Sequence, residues 1–243
     1  MNKTKHIVLL LAGGCGQRMH SDCPKQFIEI DGIPIILHTM RAFQKHEWID
    51  KIYVVCAPEW KDFITAHVQD EQINKFAGTF PAGETSFKSL CNGIDGLTTI
   101  YGKYEGNPTV LVHEAVRPLI SHDIITQNIQ VSHSYGNAIT AIRSNEAYMI
   151  SQNGTYSEES MPRETLFRAQ TPQTFPLHEL TDLFKEAERK GIKDSQSLFT
   201  LVREIYPHKP LYISQGNELN FKITHPEDAE ILRAILVYRR ENE

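Results

Sequence analysis

Three short runs in this chain, Ile7 to Leu11, Ile52 to Val55 and Val110 to Val112, are apolar at every position and not at every second one. A strand with one face in water alternates apolar and polar residues. A strand that is apolar throughout must be covered on both faces, as in a mostly parallel sheet between two layers of helices. Helical patterns separate the runs. Pro34 to Lys45 opens with a proline at the first helical position, Glu59 to Gln69 follows, and Thr85 to Leu97 has a threonine placed to cap it. Further on, Leu177 to Lys190, Asp194 to Glu204 and Pro226 to Arg239 read as helices. The alternation predicts a Rossmann-like, doubly wound α/β fold spanning residues 1–243 as one domain.

One stretch departs from this rhythm. Ser144 to Met161 is polar and contains Asn153-Gly154, between strand-like Ala138 to Ile142 and Thr165 to Ala169. Asn-Gly is a hairpin signal, so residues 143–163 are expected to form a projecting β-arm. An arm with little core of its own needs a partner surface.

The 243 residues are 40% hydrophobic, with a formal charge of -5. That balance argues against nucleic acid, whose binders carry a basic excess, but leaves small anionic ligands open. Cys15, Cys23, Cys56 and Cys91 show neither CxxC spacing nor a disulfide framework. His38, His67 and His133 lack metal-ligand spacing, and Phe27, Phe43 and Phe63 fit a core. Lys3 and Lys5 before Ile7 to Ala12 and Cys15 superficially resemble a lipoprotein signal, but a run of about six apolar residues falls below the ~7–15 of a signal core. No segment approaches the ~20 apolar residues that span a bilayer. The expectation is a cytoplasmic protein without a membrane association.

Chemistry concentrates directly after the first strand, at Leu11-Ala12-Gly13-Gly14-Cys15-Gly16-Gln17-Arg18-Met19 and then Pro24-Lys25-Gln26. Glycines admit backbone N–H groups close to phosphate, and Arg18 and Lys25 add positive charge at the edge where α/β folds bind ligands. The spacing is neither GxGxxG nor GxxxxGK[ST], which leaves a dinucleotide-dependent oxidoreductase poorly supported. A glycine turn beside a solvated Arg and Lys is the alternative without function.

Four later segments follow in order: Gly83 to Ser89, Val112-His113-Glu114-Ala115-Val116-Arg117-Pro118, Arg163 through Gln170-Thr171-Pro172-Gln173, and Asn220-Phe221-Lys222-Ile223-Thr224. Together with the glycine segment they resemble the methylerythritol-phosphate and ribitol-phosphate cytidylyltransferases, a family of GT-A-like nucleotidyltransferases. The resemblance implies transfer of a cytidylyl group from CTP to a phosphorylated sugar alcohol, with release of pyrophosphate. It implies Arg18, Lys25 and Lys222 as catalytic cations. Ala12, Gly13, Gly14, Gly16, Gly83 and Ser89 would hold CTP, and Arg117, Arg163 and Thr171 the acceptor. It also implies a homodimer in which the arm carries Arg163 to the other subunit's site. His113 would support the Glu114 turn. Glu114, at a strand end, would bind Mg²⁺ where the family has aspartate; pairing with Arg117 is its other reading.

The departures lie at the acceptor end. Asn145-Glu146 and Lys193-Asp194-Ser195 stand where methylerythritol-phosphate enzymes usually carry Asp-Thr and Thr-Asp-Asp/Glu, and Thr85 and Lys88 stand where an arginine is usual. Trp60 resembles the ribitol-phosphate branch, whereas Pro162-Arg163-Glu164 and Arg168-Ala169-Gln170 resemble the other. The expected acceptor is ribitol 5-phosphate or a similar pentitol phosphate serving a surface polymer. The alternatives are 2-C-methyl-D-erythritol 4-phosphate, a transferase using another nucleotide such as UTP, and a catalytically silent nucleotide-binding relative.

Overall fold

A computed structural model of the chain describes residues 4–14, 23–104 and 106–242. The first strand, β1 (His6–Leu11), is followed by a small hairpin, β2 (Glu29–Ile30) and β3 (Ile33–Pro34). Then come α1 (Ile35–Lys45), β4 (Lys51–Cys56), α2 (Lys61–Asp70), β5 (Phe76–Pro81), α3 (Ser86–Tyr101) and β6 (Thr109–Glu114). The second half contains α4 (His122–Tyr135), β7 (Ala138–Arg143), β8 (Tyr148–Ile150), β9 (Glu159–Met161), β10 (Phe167–Pro176), α5 (Leu177–Arg189), α6 (Leu198–Ile205), β11 (Ile213–Gln215) and α7 (Pro226–Asn242).

Seven strands form one sheet in the order β11-β7-β10-β6-β1-β4-β5. The pairs β1–β4, β1–β6, β4–β5 and β7–β11 are parallel, and β10 runs antiparallel to both neighbours. The apolar runs sit centrally and are covered on both faces, as their lack of alternation requires. Ile7 and Leu9 pack with α3, α5 and α6, while Val8 and Leu10 pack with α1, α2 and α4. Each such side chain contributes about 1.5–3 kcal/mol by burial. The chain leaves β1 first toward β4 and β5, then returns to its other side with β6. The sheet order therefore reverses at β1, and a crevice opens beyond the carboxyl ends of β1 and β6.

Several boundaries differ from the sequence reading for local reasons. Pro34 precedes α1 with an extended ψ of 138°, because it still pairs with Glu29 in the hairpin. Thr85 does cap α3, accepting from the Lys88 N–H at 3.1 Å. The helix expected from Asp194 starts only at Leu198, capped by Ser197, whose hydroxyl accepts from the Thr200 N–H at 3.3 Å. The strand expected over Thr165 to Ala169 begins at Phe167 and continues through Pro172, which sits in a register irregularity between Ala169 and Gln173. A proline has no N–H for the ladder, and the irregularity removes the need for one. Helix α4 was not anticipated, although Ser121 caps its start and Gly136, at φ 89°, ends it.

The arm is a two-stranded ribbon of β8 and β9. Its connection is longer than a two-residue Asn-Gly turn: Asn153 Oδ1 accepts from the Thr155 N–H at 2.9 Å, and Gly154 adopts φ 72°. Tyr148, Met149, Ile150, Tyr156 and Met161 are exposed on it.

Candidate active site

The crevice is a cavity of about 520 Å³. Its walls include Ala12, Gly13 and Gly14 after β1, Lys25 and Gln26, Ser89 on α3, Glu114 and Arg117 after β6, Gln170, Thr171 and Gln173 on β10, Ser195 to Phe199, and Lys222. Seven separated segments thus meet at the sheet's switch point. Arg18 and Gly16 lie outside the described residues.

The glycine segment is held by close packing. A Cβ at Gly13 would stand 2.7 Å from the Ala82 Cβ and 2.9 Å from Ser89 Oγ, so only glycine fits there. Ser89 Oγ accepts from the Gly83 N–H at 3.0 Å, tying the start of α3 to the preceding loop. Gly83 itself has no room for a side chain, its Cβ falling 2.4 Å from the Lys88 Cβ. Gln26, whose role the sequence did not reveal, donates from Nε2 to the carbonyls of Ala12 at 2.6 Å and Gly14 at 2.9 Å. With those carbonyls turned toward Gln26, the loop is braced from behind.

Lys25 donates from Nζ to the Ile223 carbonyl at 2.9 Å. The neighbouring Lys222 makes an ion pair with Glu114 Oε1. Both lysines therefore converge on one short segment, which is itself fixed: Asn220 and Ile223 are buried, and the Ile223 N–H donates to the Val116 carbonyl at 2.9 Å.

Glu114 is placed by two sets of contacts. Its backbone N–H donates to Thr171 Oγ1 at 3.2 Å, and Thr171 Oγ1 lies 2.9 Å from His113 Nδ1. His113 Nε2 faces the Arg117 carbonyl at 3.4 Å. A carbonyl only accepts, so Nε2 carries the proton and Nδ1 accepts from the Thr171 hydroxyl. That relay requires a neutral imidazole. Burial, reinforced by the Arg117 charge, holds the His113 pKa down at about 3. Sequence reading had His113 supporting the Glu114 turn, and the relay is the physical form of that support.

The Glu114 side chain has both oxygens engaged. Arg117 Nε donates to Oε2 at 2.7 Å, and Lys222 holds Oε1. Burial alone would raise its pKa, but Arg117 and then Lys222 outweigh that effect and hold it at about 2. Glu114 is thus ionised at every physiological pH. Arg117 is buried, and its second contact, Nη1 to the Asn220 carbonyl at 2.7 Å, leaves it an anchor for Glu114 at the cavity wall. Thr171 likewise faces His113 and Glu114. Arg163 sits on a short helical turn at the base of the arm, exposed, 3.9 Å from Glu164, and does not line the cavity of its own chain.

Among the described cavity residues Glu114 is the one carboxylate. Magnesium takes oxygen ligands, commonly one or two carboxylates together with substrate phosphate oxygens. A single ionised carboxylate facing a cavity of this size fits that pattern, provided one oxygen is released from its present partner.

Residue type does not show the role of some wall residues. Gln173 accepts at Oε1 from the Phe199 N–H at 3.0 Å, fixing the start of α6 against β10, and Ser195 to Ser197 were read as helix. Another cluster, the buried His46 with the exposed Glu47 and His122, lies outside the crevice. It forms a self-satisfied chain, with Trp48 N–H to His46 Nδ1 at 3.2 Å, His46 Nε2 to Thr126 Oγ1 at 2.9 Å, and His122 Nε2 to Glu47 at 2.9 Å. With Nδ1 of His46 accepting, Nε2 keeps its proton and is no metal ligand.

The relay makes a prediction about acid stability. A His113 pKa below its unfolded value stabilises the fold above pH ~6.5, and that contribution is lost as pH falls toward 3. Urea unfolding is expected to show about 2 kcal/mol lost from this group between pH 6.5 and 5. A His113→Asn variant should be less stable at neutral pH but flatter over that interval; an equal slope would refute the assignment.

The family model described as 2-C-methyl-D-erythritol 4-phosphate cytidylyltransferase matches residues 6–238. A ribitol-5-phosphate cytidylyltransferase of Streptococcus agalactiae serotype Ia is 35% identical over 239 residues, covering 98% of each chain. A 2-C-methyl-D-erythritol 4-phosphate cytidylyltransferase of Clostridium botulinum Loch Maree is 31% identical over 233 residues, covering 96% of this chain and 98% of that one. Among solved structures, a 4-diphosphocytidyl-2C-methyl-D-erythritol synthase superposes with a TM-score of 0.78 at 25% identity, over 97% of this chain and 100% of the other. With its glycine segment, paired lysines and strand-end carboxylate gathered at one switch point, the chain belongs to the IspD family of CTP-dependent cytidylyltransferases.

Proposed function

We infer that the chain transfers the cytidylyl group of CTP to ribitol 5-phosphate or a similar pentitol phosphate, forming a CDP-alcohol and pyrophosphate. The observation that carries the reading is the convergence of Lys25 and Lys222 beside Gly13 and Gly14 in the cavity. Support for the pentitol comes from relatives named ribitol-5-phosphate cytidylyltransferase at 31–35% identity over nearly the whole chain. The Clostridium relative keeps methylerythritol phosphate as the second reading.

A phosphate oxygen of the acceptor attacks the α-phosphorus of CTP in line, and pyrophosphate leaves. The acceptor is a monoester whose second pKa is about 6, so it arrives largely ionised and needs no strong base. The protein's work is positioning and charge neutralisation. Lys25, Lys222 and Arg18 meet the phosphate charge, and the amides of Gly13, Gly14 and Gly16 approach the triphosphate. Ala12, Gly83 and Ser89 shape the cytidine end. Mg²⁺, held by Glu114 and phosphate oxygens, would neutralise charge on the nucleotide. Arg117 and Thr171 act mainly by holding Glu114.

Arg163 is assigned to the acceptor of the other subunit. The exposed apolar side chains of the arm favour a homodimer built through residues 143–163. Among the described residues no helix is long and apolar enough to cross a membrane, and we place the enzyme in the cytoplasm.

Pyrophosphate release from CTP and Mg²⁺, followed with ribitol 5-phosphate and methylerythritol 4-phosphate in separate reactions, tests the acceptor. Turnover with ribitol 5-phosphate and a product of CDP-ribitol mass is expected. Turnover with the methylerythritol ester alone would reverse the order of the two readings.

A further inference from the structure

We propose that Lys222 is a built-in counter-cation for Glu114, which a divalent metal displaces only when it arrives with the nucleotide, so that metal loading and delivery of Lys222 to the phosphates are one exchange. This inference rests on the reading of the cavity as a CTP site.

The two cations on Glu114 are not equivalent. Arg117 is buried and held at both ends, by Glu114 Oε2 and by the Asn220 carbonyl. Lys222 has Glu114 as its one polar side-chain partner among the described residues, and its side chain is 38% exposed. Its backbone cannot follow the side chain, since Ile223 is pinned to Val116 and gripped by Lys25. The ammonium swings on four methylenes from a fixed base. Oε1 is therefore the oxygen that becomes available to a metal, and Lys222 is the group that vacates it.

Charge decides when this happens. Among the described residues, Glu114 carries one negative charge against two positive ones from Arg117 and Lys222. A divalent cation entering alone would meet net repulsion in a partly desolvated cavity, where like charges a few ångströms apart interact strongly. A triphosphate reverses the sign of the surroundings. It offers oxygens to the metal and, at the same moment, a new partner for the displaced ammonium. The resting pair also keeps Glu114 compensated while the site is empty, since an unpaired carboxylate in such a position is costly.

The test counts bound Mn²⁺ by electron paramagnetic resonance in nucleotide-free protein. The wild type is expected to bind weakly, and Lys222→Gln at least about tenfold more tightly, because a competing cation is gone. Lys222→Arg, which keeps the charge, should stay near the wild type. The double variant Lys222→Gln, Glu114→Gln should lose the gain. Equal Mn²⁺ affinity in wild type and Lys222→Gln would overturn the exchange, as would a gain that survives loss of Glu114. Calorimetric titration of CTP into the wild type reports separately on the underlying reading: failure to bind CTP would sink that reading, whatever the Mn²⁺ data show.

Discussion

Lys25→Ala is expected to lower turnover by about 10²- to 10³-fold, the range for removing one preorganised group that meets transition-state charge. The fold should survive, because the hydrogen bond from Nζ to the Ile223 carbonyl is worth roughly 1 kcal/mol net and the side chain lies at the cavity wall, not in the core. Steady-state pyrophosphate release together with a thermal melt checks both halves. Near-normal turnover in a folded variant would remove Lys25 from the catalytic set. The same variant tests the arm. If Arg163 serves the neighbouring subunit, mixing Lys25→Ala with Arg163→Ala chains creates some heterodimers with one intact site, and part of the activity returns. Demonstrated subunit exchange without recovery would confine Arg163 to its own chain.

Glu114→Gln should have the second large effect, and it should appear in two measurements. Turnover in Mg²⁺ is expected to fall by about 10²-fold or more, since a neutral amide neither holds the metal nor compensates Arg117 and Lys222. Stability at pH 7 should fall by about 2–3 kcal/mol. The sign follows from the direction of the pKa: a carboxyl held at about 2 stabilises the fold above its ordinary value near 4.5, and that contribution disappears as pH falls toward 2. The stability gap between wild type and variant should therefore close across that interval. A constant gap would mean that the ion pairs with Arg117 and Lys222 are not its source. Glu114→Asp should keep Mg²⁺-dependent turnover, because the carboxylate remains and only its reach, about 1.5 Å, is lost. Unchanged Mg²⁺ dependence in Glu114→Gln would exclude this position as the metal ligand.

Much of the site is legible in the sequence. Gly13, Gly14, Lys25, Glu114 and Lys222 were marked by residue type and order, and the fold brings them to one cavity. Gln26 and Gln173 were not legible in role, because a glutamine that braces a loop or caps a helix through space looks like any other glutamine in a linear chain. Arg117 and Thr171 were read toward the acceptor, yet their hydrogen bonds run to Glu114 and its relay. The type of a polar residue shows what it can bond, not which partner lies within 3 Å.

What the sequence determined alone follows from periodicity and local sterics. Unbroken apolar runs dictate strands covered on both faces, Thr85 dictates a helix start, and glycines mark the backbone's close approach. The tertiary structure decided the rest through contacts distant in sequence. It fixed the start of α6 at Leu198, where Gln173, 26 residues earlier, takes up the Phe199 amide. It carried β10 through Pro172 by a register irregularity that spares a missing donor. It also bound Glu114 to Lys222, 108 residues away, a pairing set by electrostatics in a partly desolvated crevice, which linear spacing does not record.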